Sequence, residues 1–401
     1  MLHRLLPRNV EASVAPLLAA RGLRGFADGF VAVLLPVYML ALGFDAIQVG
    51  AIATCTLLGS AFATLAVGAW GHRLPGRALL LAAALLMAAT GLGFAIGHTF
   101  WLLLGVAFVG TLNPSSGDVS VFLPLEHARL AAASDSATRT DLFARYALTG
   151  ALCAALGALA AGLPERIAAG FALQRVSALR GMFLLYGFIG LAVWCMYLRL
   201  PGAQAADQEK PAPLGPSRNV VLRLAALFSV DAFAGGLVVN ALLALWLFQR
   251  FGLSLGAAGT FFFASGLLGA ASQLAAPKLA RRIGLVNTMV FTHIPASLCL
   301  IGAAFVPHVG LALGLLLVRA LVSSMDVPAR SAFVMSVVEP HERAAAASFT
   351  AVPRSLASAL SPVLAGWLFQ SGWPAAPLVA CGVLKIAYDL ALWRAFRLFR
   401  H

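Results

Sequence analysis

The clearest chemical signal is a single arginine inside the apolar stretch LLLVRALVSS, residues 315–324. A charge at the centre of a membrane helix costs at least about 2.5–3.5 kcal/mol, and Arg319 cannot lose its proton to avoid that cost. A permanent cation at such a depth suits a ligand with an anionic or carbonyl group. The alternative is a structural link between helices, in which backbone carbonyls, Asp28 or Asp231 satisfy the guanidinium.

Two aspartates lie in otherwise apolar helices, each about two turns from one end. Asp28 lies in RGFADGF and Asp231 in FSVDAFAGG. Carboxylates inside membrane spans commonly take up and release protons, so we expect at least one of them to carry a coupling proton. The alternative is a local ion pair, with Arg24 for the first aspartate and with Arg223 for the second.

A second group of charges recurs at the same ends of distant helices. Asp118 and Asp326 occupy similar positions, as do Arg145 and Arg354. We expect this group to form a cytosolic gate, because ion pairs that exist in only one conformation bias the equilibrium between conformations. Arg330 lies four residues after Asp326, so a pair within one helix competes for the same charge.

Other polar residues fit structural roles. Asn113 precedes a proline that is expected to kink its helix, as Pro328 does in a later one, and freed carbonyls or the Asn113 amide could contact a ligand. Lys385 and Asp389 are four residues apart, so we expect them to neutralise each other. His293 is interpreted as structural.

The elements that hold these residues must be membrane helices. The 401 residues are 61% apolar and only 11% charged, whereas soluble domains average about 25% charged residues. Apolar runs of about 20 residues match the bilayer thickness and do not alternate as β-barrel strands do. The net charge of +13 is spread over short loops, which excludes a nucleic-acid surface. The five cysteines lack metal-ligand spacing, so no metal or cofactor is expected. The N-terminus has no short apolar stretch that ends in a small-residue cleavage site, so a cleaved signal peptide is not expected either.

Counting apolar windows predicts an all-α membrane protein with twelve transmembrane helices in two six-helix bundles. The bundles are residues 1–200 and 220–401, joined by a Pro-rich cytosolic linker at 201–219. The predicted spans are 16–42, 46–70, 78–97, 100–123, 141–162, 181–200, 221–249, 255–277, 284–306, 309–330, 345–370 and 374–396.

Lysine and arginine predict the orientation. With the N-terminus inside, 19 of the 28 fall on the cytosolic side, and only Arg166, Arg175, Arg180 and Arg250 fall outside. Positive charge favours the cytosolic side. We therefore expect both termini in the cytosol, in a multi-pass protein of the inner (plasma) membrane.

The two bundles are predicted to be copies of each other. GFDAIQVG at 43–50 recurs as GLSLGAAG at 252–259, and the same shift of 209 residues superimposes Arg145 on Arg354 and Gly157 on Gly366. Parallel repeats joined by a cytosolic linker are typical of transporters that bind substrate between the halves. No channel filter loop is found.

At its loop motifs the chain resembles the major facilitator superfamily, in its twelve-helix bacterial form. The signature between spans 2 and 3 is GAWGHRLPGR, and its repeat is PKLARRIG. The acidic residue of the signature, which helps to hold the cytosolic ends of the halves together in that family, is replaced by His72 and Arg281. The matching residues are Gly68, Arg73, Gly76 and Arg77 in the first copy and Leu279, Ala280, Arg282 and Gly284 in the second.

Two further family motifs lie in the second half instead of the first. Arg319 resembles an arginine of span 4 linked with proton coupling, and SPVLAG at 361–366 resembles a span 5 motif of exporters. The resemblance implies a monomeric secondary transporter of a small solute in the lipid bilayer, coupled to protons, with export favoured over uptake. The alternatives are an uptake permease for a small organic anion or metabolite, a membrane-embedded lipid-modifying enzyme and the permease subunit of an ATP-driven complex.

Overall fold

The computed structural model describes residues 14–70, 73–115, 120–134, 136–202, 215–339 and 342–396, and within them the chain is helical without a strand. Residues 203–214 of the expected linker lie outside the described residues. The helices are α1 (Val14–Ala41), α2 (Ala46–Trp70), α3 (Gly76–Ile96), α4 (Phe100–Val109), α5 (Phe122–Ala132), α6 (Ser136–Ala160), α7 (Leu163–Gly170), α8 (Arg175–Tyr197), α9 (Arg218–Gly236), α10 (Asn240–Phe251), α11 (Leu255–Ile283), α12 (Leu285–Phe305), α13 (Val309–Ser323), α14 (Asp326–Ser336), α15 (Arg343–Gln370) and α16 (Ala376–Phe396).

These helices form the twelve predicted spans. Ten segments of the described chain are long and apolar enough to cross a membrane. The other two spans are α4 with α5, in which α4 has only ten residues, and α15, which contains Pro353 and Pro362. Large apolar side chains such as Trp101, Phe171 and Trp373 are 67–78% exposed, as expected for residues that face lipid.

Three spans are broken, and two of the breaks lie close to the prolines that were expected to kink their helices, Pro114 and Pro328. Span 4 stops being helical at Gly110, and span 10 divides into α13 and α14 at 324–325. Pro328 therefore lies in the first turn of α14, where its missing N–H costs nothing, and the break precedes it. Span 7 divides into α9 and α10 at 237–239, a break that the sequence did not indicate.

The backbone supports the internal repeat. Gly43 and Gly252, which are 209 residues apart, both have positive φ angles, of 88° and 62°, which glycine adopts without strain. Two residues later, Asp45 and Ser254 each cap the following helix by accepting a hydrogen bond from the backbone N–H three residues on, at 2.8 and 3.2 Å. The same corner therefore opens span 2 and span 8.

Helix pairing repeats as well. In the first half α1 packs on α6 and α3 packs on α8; in the second, α9 packs on α15 and α12 packs on α16. These are the same pairs, spans 1 with 5 and 3 with 6, and then spans 7 with 11 and 9 with 12. The fold is a duplicated six-span bundle.

The chain divides into two compact units that exchange short segments of helix. Residues 45–54, the start of α2, belong to unit 2, and Leu253–Phe263, the start of α11, belongs to unit 1. Unit 1 otherwise contains Met1–Phe44 and Cys55–Gln208, and unit 2 contains Glu209–Gly252 and Ala264–His401.

Small residues allow the helices of each unit to approach closely. In unit 1 a Cβ added to Gly29 would lie 2.0 Å from the Ala154 carbonyl oxygen, and one added to Gly157 would lie 1.9 Å from that of Phe26. In unit 2 a Cβ on Gly236 would lie 2.3 Å from the Ser358 carbonyl oxygen. Membrane helices gain stability mainly from such close contact, and these contacts set the spacing of the polar residues on α1 and α9.

Candidate functional site

Unit 1 contains a buried carboxylate that accepts hydrogen bonds from three helices. Glu126, on α5, has no exposed surface. Its Oε2 accepts hydrogen bonds from Arg24 of α1 and from the Tyr146 hydroxyl of α6, and its Oε1 accepts one from the Tyr197 hydroxyl of α8 at 2.6 Å. We call these four residues the Glu126 cluster.

The Arg24 guanidinium of this cluster also packs against an aromatic ring. It lies 4.1 Å from the ring centre of Phe122, one turn before Glu126, and only 3% of the Arg24 surface is exposed. A buried ion pair is maintained only when its remaining polar atoms are also satisfied. The two tyrosines and the aromatic ring supply part of that compensation, whereas Arg24 Nε is buried without a hydrogen-bond partner among the described residues.

Unit 2 contains a larger cluster around Asp231, which we call the Asp231 cluster. Asp231 Oδ1 accepts a hydrogen bond from Lys385 Nζ at 2.6 Å, and Oδ2 accepts one from Arg330 Nη1 at 3.1 Å. Arg330 Nη2 also donates to Asp326 Oδ2 at 2.5 Å. Asp231, Asp326 and Arg330 are each less than 10% exposed.

A histidine and a further aspartate extend the Asp231 cluster away from Arg330. His293 Nδ1 lies 3.2 Å from Asp389 Oδ1, and His293 Nε2 lies 3.4 Å from Lys385 Nζ. Asp389 has no exposed surface and His293 is 4% exposed. Helices α9, α12, α14 and α16 therefore share one buried chain of charges.

Each cluster contains an ion pair between the first and the fourth span of its unit, but the cation and the anion are on opposite spans in the two units. In unit 1 the cation, Arg24, is on span 1 and the anion, Glu126, is on the α5 half of span 4. In unit 2 the anion, Asp231, is on span 7 and the cation, Arg330, is on the α14 half of span 10. The ion pair therefore joins the same two spans in both units, with the cation and the anion exchanged.

Arg319 lies near the middle of α13, is half-buried, and makes no hydrogen bond or ion pair with any residue that the structure describes. Its charge interacts with the Cys381 thiol of α16. Asp231, one of the acids expected to neutralise it, is bonded to Lys385 and Arg330 instead. Within the described residues, the side chain is available to a ligand.

Asp28 follows Arg24 by one turn of α1 and is 9% exposed. Its charge interacts with Arg24 and with Tyr186 of α8. The hydrogen bonds of Arg24, however, go to Glu126 and Tyr146.

The residues expected to form a cytosolic gate differ from one another in burial and in their partners. Asp118 lies outside the described residues. Asp326 is buried and paired with Arg330 in the same helix, as the alternative interpretation predicted. Arg145 is partly exposed and bonds to Asp141, one turn earlier in α6, at 2.9 Å. Arg354, in α15, is exposed, and its charge interacts with Arg330 and the two aspartates of the Asp231 cluster.

Asn113 is buried in the break after α4. Its Oδ1 accepts hydrogen bonds from the backbone N–H of Ser115 at 3.1 Å and from the Ser115 hydroxyl at 2.7 Å. This local turn stabilises the non-helical backbone around Pro114. The carbonyl of the Asn113 side chain is therefore already used within the chain.

A sequence profile described as the Major Facilitator Superfamily matches residues 17–324, well over half of the chain. The chain belongs to the Major Facilitator Superfamily. The Saccharomyces cerevisiae membrane protein YJR124C is 24% identical over 413 residues, covering 92% of this chain and 91% of that protein.

Solved transporters share the superfamily fold. The nucleoside transporter NupG is 15% identical with a TM-score of 0.73, covering 97% of this chain and 100% of that one. A POT family transporter, solved in complex with a thioalcohol-conjugated peptide, is 13% identical with a TM-score of 0.74, covering 99% of both chains. At these identities the likeness establishes the fold, and this chain is a membrane transporter of the superfamily.

The superfamily loop motif lies at helix ends in both units. In the first copy Gly68 is exposed in the last turn of α2, Arg73 is exposed and Gly76 begins α3. Arg77 Nη2 donates a hydrogen bond to the Leu198 carbonyl, directly after α8, at 2.5 Å. Arg77 therefore connects spans 3 and 6.

In the second copy Leu279 and Arg282 lie in the last turns of α11. Gly284 separates α11 from α12 with a φ of 88°, a conformation that requires glycine.

One pairing predicted from the sequence is wrong. Lys385 and Asp389 were expected to neutralise each other, but Lys385 bonds to Asp231 and Asp389 bonds to His293. The two residues share a face of α16, yet partners on α9 and α12 lie closer to each.

The buried role of Glu126 was not predicted from the sequence, because a charged residue after an apolar run is usually a loop residue. Its sequence signal was the opposite charge four helices earlier, at Arg24.

Proposed function

We propose that this superfamily transporter moves a small solute with an anionic or carbonyl group by alternating access, with a proton as the coupling ion. The observation that carries the solute class is the half-buried Arg319, a permanent cation without a hydrogen-bond partner in the described chain. Carboxylates and phosphates bind arginine through two parallel hydrogen bonds. Such a ligand offsets the cost of keeping a charge within a membrane helix.

The proposed proton pathway includes Asp28 and Asp231, with Asn113 as a further polar contact for the solute. Support comes from the competition for Asp231, whose two oxygens hold Lys385 and Arg330. A proton added to this cluster changes which cations the aspartate holds. Because Asp231 and Arg330 lie on different spans, that change alters the contact between α9 and α14.

The remaining parts of the proposal concern gating and placement. The proposed cytosolic gate consists of Arg145, Arg354, Asp326, Arg330 and Asp118. The six-span bundles are proposed to be residues 1–200 and 220–401, with residues 201–219 as the linker. We propose a monomer in the inner (plasma) membrane with both termini in the cytosol, working as an exporter in antiport with protons.

A ligand screen followed by transport tests the solute class. Purified protein is screened for thermal stabilisation by small carboxylates, phosphates and neutral carbonyl compounds, using wild type, Arg319→Ala and Arg319→Lys. We expect anionic compounds to stabilise wild type, Arg319→Ala to lose at least about tenfold in affinity, and Arg319→Lys to retain part of it. Equal binding by wild type and Arg319→Ala would show that Arg319 is not the anchor.

The stabilising compounds are then tested in proteoliposomes. Accumulation that depends on an imposed pH gradient, and that stops when the gradient is collapsed, is the expected result. The sign of the effective gradient distinguishes proton antiport from symport, and therefore export from uptake. Transport that is unaffected by the gradient would contradict proton coupling.

A further inference from the structure

The protonation state of His293 follows from its two neighbours. The ammonium group of Lys385 can only donate hydrogen bonds, so His293 Nε2, at 3.4 Å, must be the acceptor. The neutral ring then carries its proton on Nδ1, which donates to Asp389 Oδ1 at 3.2 Å. His293 in this structure is therefore a neutral base whose lone pair points at a cation.

The carboxylate behind the ring is incompletely satisfied. Asp389 Oδ2 is buried and has no hydrogen-bond partner among the described residues. A purely structural aspartate would be expected to use both oxygens, because a buried polar atom without a partner costs about 1–3 kcal/mol. The His293–Asp389 pair thus contains negative charge that an added proton can neutralise.

We propose that the His293–Asp389 dyad is the proton-binding site of unit 2 and that its protonation acts on Asp231 through Lys385. This proposal rests on the proton coupling proposed above and names its site. A proton that binds from water at Nε2 removes the acceptor from Lys385 and places an imidazolium beside the ammonium. Lys385 is then repelled towards Asp231, where it competes more strongly with Arg330, which retains Asp326.

The groups around the dyad favour this direction of action. Helix α12 packs against α13, α14 and α16. The ring of His293 also contacts the Tyr388 ring edge-on, with centroids 6.3 Å apart. Of the titratable and charged groups on these helices, and on α9 and α15 that pack against α16, Lys385, Asp231 and Tyr388 interact with the dyad itself. The remaining groups interact with those three or with one another: Arg330, Asp326, Cys381, Arg319 and Arg354. Lys385 is the cation in contact with His293, so it is the first group to respond.

Nuclear magnetic resonance can test the proposed protonation of His293 without a transported solute. The spectra are simple because the chain has only eight histidines and three lysines, Lys210, Lys278 and Lys385. With ¹⁵N-labelled histidine and lysine, the His293 signal is assigned by its loss in His293→Gln. We expect it to change from the neutral Nδ1–H form to imidazolium as the pH is lowered over the range in which the protein stays folded. The Lys385 signal should move with the same midpoint, and that of Lys278 should not.

Amino-acid substitutions distinguish a His293 that binds protons from a His293 with a purely structural role. His293→Gln can still accept from Lys385 but cannot titrate, so the pH-dependent movement of the Lys385 signal should disappear. Asp389→Asn removes the compensating negative charge, so the imidazolium signal should be absent over the same pH range. The control His98→Gln changes an exposed histidine at the end of α3 and should leave both signals as in wild type.

Either of two results would overturn the proposal: a His293 signal that stays in one protonation state, or a Lys385 signal that still moves in His293→Gln. These outcomes are independent of the ligand screen. If no anionic compound binds in the screen, the proposed solute class is contradicted, but the titration of the His293–Asp389 dyad can still be measured.

Discussion

At the scale of single residues, burial decides which charged groups are costly to remove. Glu126 holds three donors without any exposure, whereas Glu165 and Arg175 form an ion pair at 3.5 Å with side chains 32% and 58% exposed. Removing one partner of a buried pair leaves an uncompensated charge, but exposed pairs contribute little. The two glutamates therefore make a matched comparison.

We predict that Glu126→Gln lowers the free energy of unfolding by about 3 kcal/mol or more, because Arg24 keeps its charge without an anion. Glu165→Gln, the surface control, should change it by less than about 1 kcal/mol. Thermal and denaturant unfolding in detergent measures both. Equal effects of the two substitutions would contradict the assignment of Glu126 as the centre of a buried cluster.

A second residue-scale prediction concerns the gate. Arg145 is partly exposed and forms an ion pair with Asp141 one turn earlier in its helix, and such a pair contributes about 0.5 kcal/mol or less. We predict that Arg145→Ala leaves the unfolding midpoint nearly unchanged but alters the transport rate of a compound found in the screen. An unchanged rate would remove Arg145 from the proposed gate.

Much of this residue-scale chemistry could not be predicted from the sequence. The isolation of Arg319 and the Asp326–Arg330 pair follow from local spacing, since three or four residues define one helix face. The partners of Glu126 and Lys385 come from helices far away in the chain. A hydropathy window counts such residues as loop or surface charge, because it contains no information on tertiary contacts.

At the scale of helices, close approach depends on particular glycines. A Cβ at Gly29 would lie 2.0 Å from the backbone of α6, but a Cβ at Gly105, in α4, would meet nothing within 4 Å. We predict that Gly29→Ala separates α1 from α6 and destabilises the protein by about 1–3 kcal/mol, while Gly105→Ala is neutral or stabilising. Unfolding midpoints of the two alanine variants test this. Similar midpoints would show that α1 and α6 can repack.

Helix positions were largely predictable, as were the interruptions near Pro114 and Pro328, but the break within span 7 was not. The predicted and observed limits of α2 are both 46–70, because Gly43 and the polar loop after Trp70 end the apolar run clearly. The break between α9 and α10 has no proline. It occurs beside Gly236, where α9 lies against the backbone of α15, and a tertiary contact of this kind leaves little local signal.

At the scale of the whole molecule, the distribution of lysine and arginine predicts the topology. Reporter fusions test it: fluorescent protein fused after His401 should fluoresce, and alkaline phosphatase fused there should be inactive, because both termini are proposed to be cytosolic. A phosphatase inserted between α7 and α8, near Arg175, should be active. The opposite pattern would reverse the proposed orientation and with it the proposed direction of export.

The exchange of helix segments between the units has a consequence for how the protein is made. Unit 2 is completed by residues 45–54, in which Thr54 Oγ1 accepts a hydrogen bond from the Val363 backbone N–H at 3.0 Å and Gly50 lies against Pro362. A gene cut within the linker would therefore encode two polypeptides that each lack a piece of their own compact body. Expressed singly, each fragment should be degraded; synthesised together, they should complement each other and co-purify.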